Sequence, residues 1–212
     1  MKSMLVVFLL FFVGITTGQE NGAIKLPEPD TNGGAPLMTA LQKRSSNRNF
    51  DTLSLSMRQV SNLLWAAYGI NRPESGKRTA PSAMNWREYT IYLFDKNGVY
   101  AYDPETHALM KILKGDYRGY CGVQDFVSVA PLNLVYVSDF SKMSRIEDEE
   151  MKLMFTSADC GFIAQNVYLY CASEGLAVVV RGLIERDKLS SLLKLKPEQK
   201  IILSQTVGYP KK

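Results

Sequence analysis

A chain of 212 residues with 46% hydrophobic and 22% charged residues has the make-up of an ordinary globular protein and a length suited to one domain. Its net charge of +4 is mild, and Lys and Arg are interleaved with Asp and Glu along the chain, so nothing points to nucleic acid as a partner. With one histidine, His107, three cysteines and no Cys-x-x-Cys or His-Glu-x-x-His, the sequence excludes a multi-histidine metal site and a disulfide scaffold.

Lys2, the apolar run 4–13 and the small residues Thr16 to Gly18 have the form of a secretory signal, with cleavage expected before Gln19. The run is shorter than the roughly 20 apolar residues that span a bilayer, so no stable membrane anchor is expected. No cysteine follows it and no Arg-Arg pair precedes it, which leaves Sec-type export to a periplasmic or secreted location as the expectation. Residues 19–35 are rich in Gly and Pro and are expected to be a flexible linker before a single domain over 36–212.

Pro36 suits the first position of a helix over 37–42, striped by Leu37, Met38 and Leu41. A second helix over 56–68 has Ser54 or Ser56 as its cap, an apolar face of Val60, Leu63, Leu64 and Ala67, and Gly69 as its stop. Between the two lies Lys43-Arg44-Ser45-Ser46-Asn47-Arg48-Asn49-Phe50, a basic, hydroxyl-rich elbow of the kind that can hold a phosphate. Residues 71–80 are expected to form a loop.

The hydrophobic period then changes to two. Strands over 89–94 and 99–102 flank Asp95-Lys96-Asn97-Gly98, a hairpin signal. A surface turn carrying His107 precedes a strand over 108–113, and another strand covers 133–138. The acidic run Glu147 to Glu150 opens a long helix over 151–173, apolar almost all round and therefore expected to be buried at the centre. Cys160 and Cys171 lie about 16 Å apart on it, too far for a bridge, so at most one bridge is open, to Cys121, and three buried or half-buried thiols are the expectation. Gly175 ends the helix. A short strand over 177–180, a helix capped by Asp187 and a strand over 201–207 complete the chain. Helices and a meander without strict β-α alternation predict an α+β fold.

Three segments together resemble the FMN-dependent nitroreductase family, in particular its thiazole/oxazole-dehydrogenase-like branch. Arg44-Ser45-Ser46-Asn47-Arg48-Asn49-Phe50 resembles the family's Arg-x-Ser-x-Arg-x-Phe opening. Ala80-Pro81-Ser82-Ala83-Met84-Asn85-Trp86 is similar to its Pro-Ser-Ala-x-Asn, and Gly161-Phe162-Ile163-Ala164-Gln165-Asn166 to the Gly-x-x-x-Gln-Asn of its central helix. The order and spacing of the three carry the likeness, which extends from about residue 37 to 210.

The resemblance implies a dimeric α+β fold with a mostly antiparallel sheet flanked by helices around the long helix, and FMN at the subunit interface. Arg44, Ser45, Ser46 and Arg48 would hold the phosphate. Pro81, Ser82, Ala83 and Met84 would pass along the flavin, with Asn85 on its polar edge and Gln165 near the ribityl chain or ring. Val180, Arg181 and Gly182 would run beside the ring, although Arg181 could instead pair with Glu185. Many relatives carry a basic residue after Gly-x-Pro, a role open here to Lys211 or Lys212. The implied activity is two-electron transfer from a donor such as NAD(P)H through FMN to a nitroaromatic, quinone or azoline-like acceptor, with no catalytic side chain. An exported flavin- or ligand-binding module without turnover is the alternative.

Overall fold

The computed structural model describes residues 22–212, so the expected export signal lies outside the described residues. In chain order the elements are β1 (Ala23–Lys25), α1 (Leu37–Lys43), α2 (Met57–Tyr68), β2 (Ile70–Arg72), β3 (Lys77–Arg78), β4 (Tyr89–Asp95), β5 (Gly98–Asp103), β6 (Ala108–Lys114), α3 (Phe126–Val129), β7 (Leu132–Asp139), α4 (Glu149–Glu174), β8 (Ala177–Arg181), α5 (Arg186–Leu193) and β9 (Gln199–Gly208). Seven strands form one antiparallel sheet in the order β1-β6-β5-β4-β7-β9-β8, and β2 pairs with β3 in a separate ribbon within the expected loop.

The sheet is covered on both faces, and the strand period sorts its side chains between them. On central strand β7, Leu132, Leu134 and Tyr136 join the core beneath α2 and α4. Val135 and Val137 point the other way, into a core closed by Leu189 and Leu193 of α5 with Cys121 and Val127. The Asn97-Gly98 turn joins β4 to β5 as expected, with Asp95 Oδ1 accepting the backbone N–H of both Asn97 and Gly98. All three cysteines are free and buried.

Helix α2 starts where its chemistry dictates. Ser56 and Gln59 form a reciprocal capping box, and Val60, Leu63, Leu64 and Ala67 are buried. Helix α4 is capped by Asp148, whose side chain accepts the N–H groups of Glu150 and Met151, and closed by Gly175 at φ 68°. It is not buried all round. Cys160, Ile163, Ala164, Val167 and Cys171 face the core, whereas Met151, Leu153, Met154 and Phe162 are exposed. The single subunit thus buries one side of the helix and leaves Met151, Leu153, Met154 and Phe162 outside its own core.

Two further expectations change. The described part of the presumed linker is fastened to the domain: β1 pairs with β6, Leu26 is buried, and the N–H of Ala35 donates to Ser173 Oγ at 2.6 Å. His107 does occupy a turn, at φ 49°, but its ring points inward. Its Nδ1 lies 2.9 Å from the Tyr102 hydroxyl and its Nε2 2.7 Å from Ser61 Oγ. It is a tether for the N-terminal segment rather than a solvent-facing group.

Candidate functional site

The basic loop runs along the outer edge of β8. The N–H of Asn47 donates to the carbonyl of Val178 at 2.9 Å, and Phe50 bridges to Pro210. Phe50 is buried among Ala130, Ala177 and Val179, which anchors the loop's end. The Ser46 hydroxyl lies 2.8 Å from that of Tyr168 on α4, and the Arg44 guanidinium sits over the Tyr168 ring at 5.3 Å. Ser45, Ser46 and Arg48 are exposed.

Lys211 joins this loop: its N–H donates to the carbonyl of Asn49 at 3.1 Å. Among the described residues no carboxylate pairs with Arg44, Arg48 or Lys211, since the ion pairs formed there are Arg78–Glu105, Arg118–Asp116 and Lys188–Glu185. Three cations without a counter-charge, with the hydroxyls of Ser45 and Ser46 among them, suit a phosphate dianion.

The second expected segment forms a strained turn against the N-terminal half of α4. Met84 and Asn85 sit at φ 49° and 56° and Arg87 at 50°, three left-handed non-glycine residues within four positions. Each costs about 1 kcal/mol or more, so the surroundings must hold them. Ser82 Oγ accepts the N–H of Arg87 at 3.1 Å, the Asp159 carboxylate on α4 accepts the N–H of Ala83 at 2.8 Å, and the Trp86 ring packs edge-on against Phe155. Pro81, Met84 and Asn85 are left exposed beside the apolar face of α4.

Asp159, which holds this turn, and Tyr168, which holds the basic loop, are about 14 Å apart along α4 at 1.5 Å per residue. Nine residues also turn the helix by about 180°, so the two half-sites are anchored on opposite sides of α4, with exposed Gly161, Phe162 and Gln165 between them along its axis. Gln165 is one turn before Tyr168, on the side of the basic loop.

The remaining expectations divide by strand parity. Val180 is half-exposed and donates its N–H to the Tyr168 hydroxyl at 3.0 Å, and Gly182 is exposed, so both lie beside the basic loop. Arg181 points through the sheet. Its guanidinium donates to the Cys121 carbonyl at 2.9 Å, Asn133 Oδ1 at 3.0 Å and Thr206 Oγ1 at 2.7 Å. A Cβ on Gly122 would come within 2.0 Å of that guanidinium, so only glycine allows this approach. Desolvation lowers Arg181 to about 10, which still leaves it charged. The side chain is a buried strut, and Glu185 pairs with Lys188 instead. Only the Arg181 backbone stays next to the site.

A cavity of about 600 Å³ opens between residues 30–35, α1, α2 and α4, lined by Asn62, Trp65, Asn166 and Tyr170 among others, and it includes none of the expected site residues. Tyr168, Asp159 and Glu88 are the site's unforeseen members. Tyr168 carries a sequence signal, three residues after Gln165 and hence on the same side of the helix. Glu88 lies just before β4, out of phase with its core residues Tyr89, Ile91 and Leu93, and carries no sequence signal.

The chain matches the model of the nitroreductase family over residues 41–209. It is 31% identical over 170 residues to "Putative nitroreductase MJ1384" of Methanocaldococcus jannaschii, covering 76% of this chain and 85% of that one. A crystal structure of a putative nitroreductase from Ralstonia eutropha superposes with a TM-score of 0.86 at 42% identity, covering 92% of each chain. The NADPH:FMN oxidoreductase of Vibrio harveyi, complexed with NAD+, shares the fold at a TM-score of 0.60 and 19% identity, over 83% of this chain and 69% of that one. With both expected loop motifs brought against α4 and the family matched over most of the chain, the chain belongs to the nitroreductase family of flavin-dependent oxidoreductases.

Proposed function

We propose that the protein binds FMN and passes two electrons from a reduced donor such as NAD(P)H to a small organic acceptor of the nitroaromatic, quinone or azoline type. The observation that carries this is the basic loop, which holds Arg44, Ser45, Ser46 and Arg48 on one segment with the Lys211 backbone bonded to it, and whose cations meet no acid among the described residues. Arg44 and Arg48 would bind the phosphate as charge-assisted donors, Arg44 pre-oriented by the Tyr168 ring. Asn85 would hydrogen-bond the flavin's polar edge, and Met84 would exclude water from one side of it. When bound, FMN supplies the hydride and electron chemistry, so protons can come from solvent and no side chain need act as an acid.

The functional unit in this proposal is a homodimer. An antiparallel crossing of two α4 helices near Gly161 would cover the exposed Met154 and Phe162, and it would carry the 81–87 turn of one subunit to the basic loop of its partner. The 14 Å between the two half-sites supports this reading, because neither alone surrounds a cofactor. We place the chain in the thiazole/oxazole-dehydrogenase-like branch on its segments 63–69 and 98–104, and we read residues 1–18 as a Sec-type export signal on their charged start and short apolar run.

Titration of the purified protein with FMN and with riboflavin tests the proposal. FMN should bind about one per subunit and some 30- to 150-fold more tightly than riboflavin, the worth of two or three kcal/mol of charge-assisted phosphate contacts. Arg48→Ala should close most of that gap. No binding, or equal binding of the two flavins, would overturn it. Bound flavin that no donor reduces over repeated turnovers would identify a binding module instead.

A further inference from the structure

Beneath the 81–87 turn lies a buried pair of acids that the proposed chemistry does not use. Glu88 is fully buried, and neither of its carboxylate oxygens meets a hydrogen-bond donor among the described residues. Asp159, itself 4% exposed, accepts the Ala83 N–H, and the hydroxyl of Tyr89, next to Glu88 in the chain, bonds Thr156 one turn before Asp159 on α4, which brings the two acids together closely enough for each to act on the other. Two carboxyl groups in contact and away from water do not both ionise, and a hydrogen bond between them needs a proton.

The surroundings favour keeping that proton. Tyr68 from α2, Tyr89 from β4 and Cys160 from α4 face the pair, and burial raises all three, so each stays neutral. Lys142, after β7, opposes this by favouring the Glu88 carboxylate, but its influence is the smallest of those acting on Glu88, and its Nζ donates to the Arg87 carbonyl at 3.1 Å. Arg78 lies over the Tyr68 ring and pairs with Glu105. Desolvation and Asp159 raise Glu88 to about 7, and burial raises Asp159 as well.

We propose that Glu88 and Asp159 are positioning residues that share one proton, and that this proton holds the 81–87 turn on α4 in its left-handed conformation. Its release to solvent sets two carboxylates against each other, turns Asp159 from the Ala83 N–H and frees Met84 and Asn85. The shared proton thereby makes flavin affinity depend on pH, a consequence that rests on the FMN reading above.

Trp86 reports on the turn without any flavin. In a Trp65→Phe background it is the one remaining tryptophan. Its emission in flavin-free protein should titrate with a midpoint near 7, and the protonated-carboxyl infrared band should fade over the same range. Glu88→Gln and Asp159→Asn each keep a hydrogen bond across the pair without the exchangeable proton, so each should abolish the transition. The FMN dissociation constant should rise about ten-fold between pH 6 and 8.5 in the parent, the effect of one proton-linked unit, and stay flat in Glu88→Gln.

A Trp86 transition that survives in whichever of the two variants folds would overturn the proposal. So would a parent with neither the transition nor the infrared change. A transition that behaves as expected in a protein that binds no FMN would uphold the pair and refute the cofactor reading alone.

Discussion

The phenolic oxygen of Tyr168 serves two elements at once: it lies 2.8 Å from the Ser46 hydroxyl and accepts the N–H of Val180 at 3.0 Å. One atom on α4 thus fixes the basic loop relative to the edge of the sheet, while its ring carries Arg44.

Tyr168→Phe should separate these roles. The ring and the Arg44 contact remain, but the Val180 N–H and Ser46 lose a partner, at a cost of about 1–2 kcal/mol in stability. FMN affinity should fall roughly ten-fold because the loop is no longer pre-set, and Tyr168→Ala should fall further as the cation–π contact goes too. Thermal unfolding and FMN titration check both. An unchanged affinity in the Phe variant would mean that the Asn47–Val178 and Phe50–Pro210 contacts suffice to hold the loop.

Arg181 invites a different outcome from its neighbours. Arg181→Met should cost about 3 kcal/mol or more, because Asn133 and the Cys121 carbonyl lose a buried charged donor, and Arg181→Lys should recover little because a lysine cannot fork to three acceptors. In the folded fraction FMN should bind nearly as in the parent. Denaturant unfolding paired with flavin titration distinguishes this from a cofactor role, which would show lost affinity at unchanged stability.

Much of this architecture is legible in the sequence because burial imposes a period. The 3.6 stripe of α2, the Asn97-Gly98 turn and the alternation of β4 and β5 each state their structure locally. The order of the three motifs also points to the basic loop and the 81–85 turn. What is not legible depends on partners far along the chain. The three residues of β1 are all exposed and carry no alternation, so their pairing with β6 leaves no mark. The strand period does say that Val180 and Arg181 face opposite sides, and only Val180 can present its side chain to the site. Composition says that α4 is apolar, but it cannot say which of its faces belongs to its own core.

Phe162→Asp tests the outer face. Phe162 is 47% exposed in the single subunit, so a charge there should leave the fold intact. Within the proposed dimer it would bury an unpaired carboxylate, which is worth several kcal/mol against association. The variant should sediment as a monomer with native helical content and bind FMN at least ten-fold more weakly. A dimer of unchanged affinity would place the interface elsewhere.

Stability should also record the buried acid pair. Glu88 titrates at about 4.5 when exposed and near 7 in the fold, so the native protein keeps a proton that the unfolded chain gives up. The contribution of this site is therefore complete below about pH 4.5, declines as pH rises, and is lost above about 7. At no more than about 1.4 kcal/mol per pH unit for one proton, the loss amounts to about 3 kcal/mol at most. Glu88→Gln removes the titrating group, so the stability of the variant relative to the parent should improve steadily between pH 5 and 7.5. Urea unfolding at a series of pH values measures that difference, and a gap independent of pH would show that Glu88 is ionised in the native protein.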